Sequence, residues 1–496
     1  MGSRQLVKTA AAAAAVASLF VAASLSLSAL ARPDARVGRA VVVVNREGVA
    51  ARDNRNFGIP PDPTGAIGRE HYLEAVNPRL ALYDRNRLRL VRARDAYAFW
   101  RRPNTATIVD PQVAWDDGAR RWYYAALVND PVGGNEILLA WTKRGDPSNL
   151  SDAWCRMSIP TGTLFDDFPE LGFSRNHILI ATNVFDLGTR EFMFSRLWVI
   201  GSPASGPDVC ARPPVTSFGS QAEPLRRADG NIAFTLVPVD PVRPSDLAYV
   251  VAADCVFGPE RGGEEDPCGT RDRQANQITV WHVDGPRRAP QLTQNGGIDV
   301  PIYKLPTPAR QRGTARMLDT SDTRLYQAIS APDPTLRLPE AIWTQHTVAG
   351  AGGRSEVRWY ELDPRGLTVV RRGTIRDRRN WVFNAAISPT ARGDRAVVHF
   401  VVSGRARAPE LHARSRGPRT SKTAMAGEIV LARSVSSDRC SADPGEACVW
   451  GDYAAATPDP RRRELVWGSN ELVGSRKHPG PLGTYWRTRN FALRPR

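Results

Sequence analysis

Acidic side chains stand at equivalent places in a pattern that recurs along this chain of 496 residues. Each one comes just before a short apolar segment, and four of them come one or two residues before a proline. The six residues are Asp62, Asp110, Asp167, Glu223, Asp319 and Asp452. If these positions meet on one rim, their carboxylates repel one another unless water, arginine or a cation intervenes, so the rim would suit an ion or a polar ligand. The alternative is local turn chemistry, in which each carboxylate accepts nearby backbone N–H bonds.

Two of these carboxylates could also act as a catalytic pair. Glycoside hydrolysis needs two carboxyl groups roughly 5 to 9.5 Å apart, and Asp110 and Asp167 stand on consecutive repeats. They are therefore the candidate catalytic residues. The chain has no G-x-S-x-G, no H-E-x-x-H and no phosphate-binding Gly-Lys-Ser/Thr loop. It has no C-x-x-C motif and its seven histidines are scattered, so we expect no metal site and no cofactor apart from a cation at the acidic rim.

The elements that must position these residues form a repeat. Seven times, at intervals of roughly 50 to 95 residues, an apolar segment runs through a polar turn into an alternating apolar segment. This is typical of an all-β fold, a β-propeller, with six to seven four-stranded blades, of which seven is preferred. The segments are PDPTGAIGREHYLEAVN from Pro61, DPQVAWDDGARRWYYAAL from Asp110, DDFPELGFSRNHILIATNVF from Asp166, AEPLRRADGNIAFTLV from Ala222, LDTSDTRLYQAIS from Leu318, NWVFNAAISPTARGDRAVVHFVV from Asn380 and WGDYAAATPDPRRRELVWGS from Trp450.

One strand near the N-terminus has no hairpin partner. Residues 38–47 read GRAVVVVNRE, whereas the final repeat supplies strands only near residues 465–470 and 483–493 and is one strand short. Propellers remove exposed sheet edges when a strand from one terminus completes the blade built by the other. We therefore predict that Val41 to Val44 pairs with the C-terminal blade.

The N-terminus has the character of an export signal. Residues 10–31 carry no charge, follow Arg4 and Lys8, and end in Ala29-Leu30-Ala31. This predicts a signal peptide over residues 1–31, with an uncleaved N-terminal anchor as the alternative. The expected product is a secreted or extracytoplasmic protein, residues 32–496, that folds as one propeller domain, has no membrane span and is a monomer.

Six cysteines in an exported chain favour disulfides. Their spacing suggests Cys255 with Cys268, Cys440 with Cys448 and, by exclusion, Cys155 with Cys210, although six cysteines allow 15 pairings. The first pair would staple a surface insertion near residues 255–275.

Charge and aromatic residues limit the classes of partner that this chain is expected to bind. The net charge is +16, but only five of the 67 basic residues are lysine, and a uniform arginine excess reflects genome composition more than a nucleic-acid site. We expect no nucleic-acid partner. Aromatic residues in or beside the repeats could stack on sugars, or could instead pack between blades. They are Trp115, Trp122, Tyr123, Tyr124, Trp381, Trp450, Tyr453 and Trp467.

The repeats resemble those of the sialidase-like family of secreted bacterial β-propellers. The resemblance rests on the phrases quoted above together with GTYWRTRNFAL from Gly483, and it spans most of residues 60–494. It implies the propeller fold. The family marks the first arginine of its active site with Phe/Tyr-Arg-Ile-Pro, and this chain has Phe57-Gly58-Ile59-Pro60 at the corresponding place. Because Gly58 stands where that arginine would be, sialidase activity itself is not expected.

Three functional hypotheses follow. The first is an exported propeller that binds a polar ligand, such as a glycan or a cell-surface partner, at the mouth of its channel. The second is an extracytoplasmic glycoside hydrolase that uses the acidic rim. The third is a structural scaffold at the cell surface.

Overall fold

The computed structural model describes most of the chain after residue 37, and every structural statement below refers to these residues. The described ranges are 38–54, 60–103, 105–130, 134–189, 191–254, 274–440, 447–477, 479–480 and 485–496. The predicted signal peptide, the Phe57-Gly58-Ile59 segment and the predicted Cys255–Cys268 disulfide with its insertion lie outside them.

The described strands form seven four-stranded antiparallel blades, so the seven-bladed propeller that the repeats predict is confirmed. Strand β1 spans Val41–Ala50. Blade 1 consists of β2 Thr64–Ile67, β3 His71–Val76, β4 Arg79–Asp84 and β5 Leu90–Asp95. Blade 2 consists of β6 Thr107–Asp116, β7 Arg121–Asp130, β8 Gly134–Thr142 and β9 Trp154–Gly162. Blade 3 consists of β10 Leu164–Phe173, β11 His177–Asp186, β12 Phe192–Gly201 and β13 Val215–Phe218.

The second half of the chain repeats this arrangement. Blade 4 consists of β14 Val237–Pro241, β15 Ala248–Ala253, β16 Gln274–Asp284 and β17 Gln291–Lys304. After β18 Met317–Leu318, blade 5 consists of β19 Leu325–Asp333, β20 Leu338–Ala349, β21 Ser355–Asp363 and β22 Thr368–Ile375. Blade 6 consists of β23 Trp381–Pro389, β24 Ala396–Gly404, β25 Arg407–Arg416 and β26 Ala426–Arg433. After β27 Ala447–Cys448, blade 7 consists of β28 Ala455–Pro458, β29 Val466–Val473, β30 Trp486–Arg494 and, as its outer strand, β1.

The outer edge of blade 7 is closed by the N-terminal strand. β1 runs antiparallel to β30, with Val42 opposite Leu493 and Val44 opposite Ala492. The predicted closure by Val41 to Val44 is therefore confirmed. Blades 4 and 5 are also joined at their inner strands, because β14 and β19 pair in parallel at Val239 and Ala328.

Helices are few and short in the described chain. They are α1, Ala96–Trp100, and the 3-10 turns Ala51–Asp53, Gly206–Cys210 and Ala351–Gly353. No described helix has the length and apolar character that a membrane crossing requires.

Two disulfides tie loops to blades. Cys155 of β9 joins Cys210, the pair expected by exclusion, and Cys440 joins Cys448 of β27, the pair that the spacing predicts. The same β27 pairs in parallel with β18. A covalent link across a short or poorly packed loop stabilises mainly by restricting the unfolded chain.

The apolar core is divided into seven layers, one between each pair of neighbouring blades. Trp122, Tyr124 and Leu73 share the layer between blades 1 and 2, and Trp343 stacks on Trp359 at 6.0 Å between ring centroids in the layer between blades 5 and 6. Burying a side chain of this size contributes roughly 1.5 to 3 kcal/mol. Most of the aromatic residues singled out in the sequence therefore pack between blades. Trp115 differs from them, since it is only partly buried.

The closing layer, between blades 7 and 1, contains a buried acid among its apolar residues. Glu74 of β3 is 0% exposed and accepts hydrogen bonds from the Val49 backbone N–H at 3.2 Å and the Tyr83 hydroxyl at 2.7 Å. It also accepts from the hydroxyls of Thr488 and Ser469 on blade 7. One carboxylate thus joins β1, blade 1 and blade 7.

We predict that Glu74→Ala weakens the closed ring. The substitution leaves a buried backbone N–H and several hydroxyls without an acceptor, so the free energy of unfolding should fall by about 3 kcal/mol or more. Denaturant unfolding curves measure this. The control is Glu70→Ala on the same blade, whose side chain is 59% exposed and pairs only with Arg461, and it should change the value by less than about 0.5 kcal/mol. Equal losses in the two variants would contradict the role given to Glu74.

Candidate functional site

Six blades each have one residue with left-handed backbone, which stands two residues before the inner strand or lies within that strand at a bulge. Their φ values lie between 44° and 70°, and the residues are Asp62, Asp110, Phe168, Thr235, Thr323 and Asn384. Asp and Asn tolerate this conformation better than most residues. In blades 1 to 3 a proline follows, which fixes the entry into the strand. Because the turn recurs, equivalent residues of different blades meet at one end of the channel, which we call the acidic mouth.

Hydrogen bonds link the acidic mouth from blade to blade. Asp62 accepts the Asp452 backbone N–H at 2.7 Å through Oδ1 and the Asn77 side-chain amide at 2.7 Å through Oδ2. Asn77 in turn accepts the Asp110 backbone N–H at 2.9 Å, and Asp110 accepts the backbone N–H of Phe168. The chain of bonds therefore runs through blades 7, 1, 2 and 3.

The carboxyl groups of this mouth are electrostatically coupled. Burial raises the pKa of Asp62 well above its usual range, and the neighbouring charge of Asp452 raises it further. Burial likewise raises the pKa of Asp110 well above its usual range, with Asp167 as the next cause. Asp167 and Asp452 are themselves only half-buried. The mouth thus combines buried carboxyl groups of raised pKa with more accessible neighbours.

The structure brings together most of the predicted rim, but not all of it. Asp110 interacts electrostatically with Asp62, Asp167 and Asp452, and Asp62 also interacts with Asp452. Asp319 is half-buried and lines a cavity of about 10 Å³ together with Asp452.

Glu223 lies elsewhere. It is exposed and forms a turn with Ser220, and its segment makes only an isolated bridge between Arg226 and Ile232. The inner hairpin of blade 4 is β14 and β15 instead of the segment that begins at Ala222, so Thr235 holds the equivalent place. The polar turn Asp229-Gly230 resembles a blade hairpin in sequence but is not one.

Other polar residues of the channel escape the sequence pattern because they lie inside inner strands. Glu170 of β10 and Asp240 of β14 both line the channel, and burial raises the pKa of each well above its usual range. The available signal was an acid inside an otherwise apolar strand, as in FPELGF and VPVDP.

One guanidinium partly offsets these charges. Arg324 donates from Nε to Asp322 at 2.7 Å, and its second contact to the same carboxylate is made through Nη2. Its guanidinium also lies 4.2 Å from the ring centroid of Phe168, which stacks on Tyr453 at 4.7 Å. Arg324 therefore ties blade 5 to blades 3 and 7 near the acidic mouth.

Cavity size separates the two ends of the channel. The cavities beside the acidic residues have volumes of about 10 and 20 Å³, room for a single water molecule or a bare ion. At the far ends of the inner strands lies a cavity of about 350 Å³, which we call the wide mouth. Only the wide mouth, among these three, has the volume of a small organic ligand.

Aromatic, basic and proline side chains line the wide mouth. Trp115 lies 5.0 Å from Trp122 between ring centroids and donates from Nε1 to Asp117 at 3.3 Å. Asp117 is paired with Arg69 through two bonds of 2.8 and 3.0 Å, which neutralises its charge. Arg463 is exposed and also lines this mouth. Its remaining lining residues include Arg243 and the prolines Pro241, Pro244, Pro458 and Pro460.

Within the described residues, one group of acidic and sulfur side chains lies close enough together to hold a metal ion, but it offers no site. Asp438, Cys440 and Cys448 lie close together, but the two sulfurs are joined in a disulfide and are not thiolate ligands.

No protein-family model and no curated protein matches this chain. Solved structures resemble it weakly. A protein of unknown function from Dyadobacter fermentans is 11% identical over 79% of this chain and 96% of that one, with a TM-score of 0.38. A Hadza microbial sialidase is 10% identical over 74% of this chain and 68% of that one, with a TM-score of 0.40. The parainfluenza virus 5 hemagglutinin-neuraminidase ectodomain is 8% identical over 78% of this chain and 82% of that one, with a TM-score of 0.37. These likenesses carry no activity to this chain, and the fold assignment rests on its sheet order.

Beside the acidic mouth, Glu471 offers a test of the local electrostatics. It is 3% exposed, accepts the Gly451 backbone N–H at 2.7 Å, and burial raises its pKa to about 8. A carboxyl whose pKa is raised on folding stabilises the protein while protonated, and this contribution is lost as the pH rises from about 4.5 through about 8.

We predict that Glu471→Gln removes part of this pH dependence. Between pH 5 and pH 9 the wild type should lose roughly 3 to 5 kcal/mol of unfolding free energy relative to the variant, because glutamine keeps the hydrogen bond but cannot ionise. Urea unfolding at both pH values provides the comparison. Glu464→Gln, a partly exposed acid next to the same strand, is the control and should leave the pH dependence unchanged. A wild type and Glu471→Gln with parallel pH profiles would refute the assignment.

Proposed function

We propose that this chain is an exported β-propeller that binds a polar, carbohydrate-like ligand at the wide mouth of its channel. The observation that carries the proposal is the cavity of about 350 Å³ beside the partly buried ring of Trp115. An aromatic face in a water-filled cavity binds the apolar face of a sugar ring, while polar neighbours bind its hydroxyls. The other large aromatic residues of the blades are used in packing.

Charge at the wide mouth favours an acidic ligand. The exposed guanidinium groups of Arg243 and Arg463 line the cavity. Of the two acids that line it, Asp117 is already paired with Arg69, and burial raises the pKa of Asp240 well above its usual range. A carboxylate or sulfate on a sugar would meet these guanidinium groups in bidentate geometry. The net charge of +16 also attracts anionic ligands at long range.

Export is supported by the chemistry of the cysteines. Two disulfides in the described chain are typical of a protein that matures in an oxidising compartment, in agreement with the proposed signal peptide at residues 1–31.

We predict that Trp115→Ala weakens binding of acidic oligosaccharides at least tenfold, because it removes the stacking face. Trp115→Phe keeps a ring and should retain most of the affinity. Arg463→Ala should weaken acidic more than neutral glycans, while Arg288→Ala, an exposed arginine away from the mouth, should change neither. A glycan array identifies the ligand and titration calorimetry measures the affinity. Binding that survives Trp115→Ala would place the ligand elsewhere.

A glycoside hydrolase is the second candidate. It is favoured by the electrostatic interaction between Asp110, whose pKa is raised, and the more accessible Asp167 on the next blade, a pairing suited to acid and base or nucleophile. The small cavities at that mouth leave less room for a sugar than the wide mouth does.

Fluorogenic glycosides separate binder from enzyme. We expect no turnover by the purified protein under conditions in which it binds glycans. Turnover that is lost in Asp110→Asn and Asp167→Asn but kept in Glu223→Gln would replace the proposal with the hydrolase. The Glu223 variant is a matched control, because it is an acid of the predicted rim that lies outside the mouth. If the protein shows no binding and no turnover, the result would favour a structural scaffold.

A further inference from the structure

A second, smaller cavity lies inside the channel, midway along the inner strands. Its volume is about 20 Å³, and its walls come from six blades. The polar side chains that line it include Gln112 of β6, Glu170 of β10, Asp240 of β14 and the tyrosine Tyr326 of β19. It holds one water molecule or one ion without its hydration shell.

Three buried polar atoms around this cavity have no hydrogen-bond partner. They are Oε1 of Glu170, Oδ1 of Asp240 and the side-chain amide nitrogen of Gln112. Glu170 is only 3% exposed, so bulk water does not satisfy it. Buried polar groups in native proteins are paired, and unpaired ones that surround a common space indicate an occupant that bonds to them.

The charges around the cavity call for a positive occupant. Asp240 and Asp110 both act on Glu170 as neighbouring negative charges. The positive charge that acts on Glu170 is Arg324, and its guanidinium is already bound to Asp322. A water molecule would satisfy hydrogen bonds but would leave the repulsion between the two carboxylates. A cation satisfies both requirements.

We propose that the channel binds one Ca²⁺ ion, held directly by the carboxylates of Glu170 and Asp240, with the side-chain amide oxygen of Gln112 as a further ligand. Rotation of the Gln112 amide by a half turn presents its oxygen in place of its nitrogen. All three ligands are hard oxygen atoms, which suit Ca²⁺ and Mg²⁺. Ca²⁺ accepts irregular oxygen geometry and loses its water readily, whereas Mg²⁺ keeps several waters that a cavity of this size cannot hold.

An entry path leads to this site. Asp240 lines both the small cavity and the wide mouth, so an ion that arrives through the wide mouth meets one of its ligands first. The proposed ion lies next to the acidic mouth, whose Asp110 acts on Glu170, but none of its three ligands belongs to the residues that form that mouth. Its binding does not depend on whether the wide mouth binds a glycan.

The test uses the purified protein, dialysed against a chelator and then titrated with CaCl₂ or MgCl₂ in a calorimeter. We expect one Ca²⁺ per chain, weaker binding of Mg²⁺, and a melting temperature roughly 2 to 5 °C higher at saturating Ca²⁺. Tb³⁺ provides a second readout, because the neighbouring Tyr326 and Tyr453 should sensitise its luminescence when it occupies the site.

Glu170→Gln and Asp240→Asn should each weaken Ca²⁺ binding by about 100-fold and abolish the Tb³⁺ signal. Because each removes one of two neighbouring negative charges at the cavity, they should melt at or above the wild-type temperature in chelator while losing the rise on adding Ca²⁺. Glu471→Gln, a buried acid outside this cavity, should bind Ca²⁺ as the wild type does. Absence of stoichiometric Ca²⁺ binding in the wild type would overturn the proposal. Ca²⁺ binding that survives both variants would overturn it as well. Ca²⁺ binding that is lost instead in Asp167→Asn and Asp452→Asn would also overturn it, and would place the cation at the acidic mouth.

Discussion

Closure of the ring is the constraint on which the rest of this structure depends. Each blade is a small twisted sheet with two apolar faces, and it can bury both faces only if it has a neighbour on each side. The first and last blades gain that neighbour when β1 joins β30 and when Tyr72 stacks on Trp467 at 5.5 Å between ring centroids. Glu74 completes the junction, since it bonds to both ends of the chain at once.

This closure explains the distribution of polar and apolar residues. The apolar core lies in layers between blades, where aromatic and branched side chains from adjacent sheets interdigitate. The inner strands surround the axis of the ring, and their turns and exposed edges bring polar groups together there. Carboxyl groups that would be solvated in an open sheet are buried there, and their pKa values rise as a result.

The two ends of the channel consequently favour different chemistry. The acidic mouth is tightly bonded from blade to blade and leaves only cavities the size of a water molecule or an ion. The wide mouth has the volume, the aromatic surface and the guanidinium groups that a sugar-sized ligand needs. The carboxylates between them, of the buried Glu170 and the half-buried Asp240, would serve the fold by binding a cation that lets like charges remain close together.

Local patterns account for how much could be foreseen. Period-two alternation and polar turns identify the inner hairpins of five blades, and the unpaired segment at Val41 identifies the closing strand, because both are properties of contiguous residues. The same local reading failed at Ala222, where a polar turn has hairpin composition but does not begin an inner strand. It also failed at Leu318, because β18 pairs with β27 and the inner hairpin of blade 5 is formed by β19 and β20. Spacing also predicts the pair Cys440–Cys448, and the pair Cys155–Cys210 follows by exclusion.

The sequence by itself thus determined the β-propeller, its seven repeats and the strand that closes it. Only the tertiary structure decided which side chains face a common space. It separated Glu223 from the acidic mouth, brought Glu170 to Asp240, and left Trp115 at a cavity while similar aromatic residues pack between blades. The physical reason is that these encounters join residues of different blades. They depend on left-handed turns, bulges and the angle between sheets, and the residue pattern of a single segment predicts none of these.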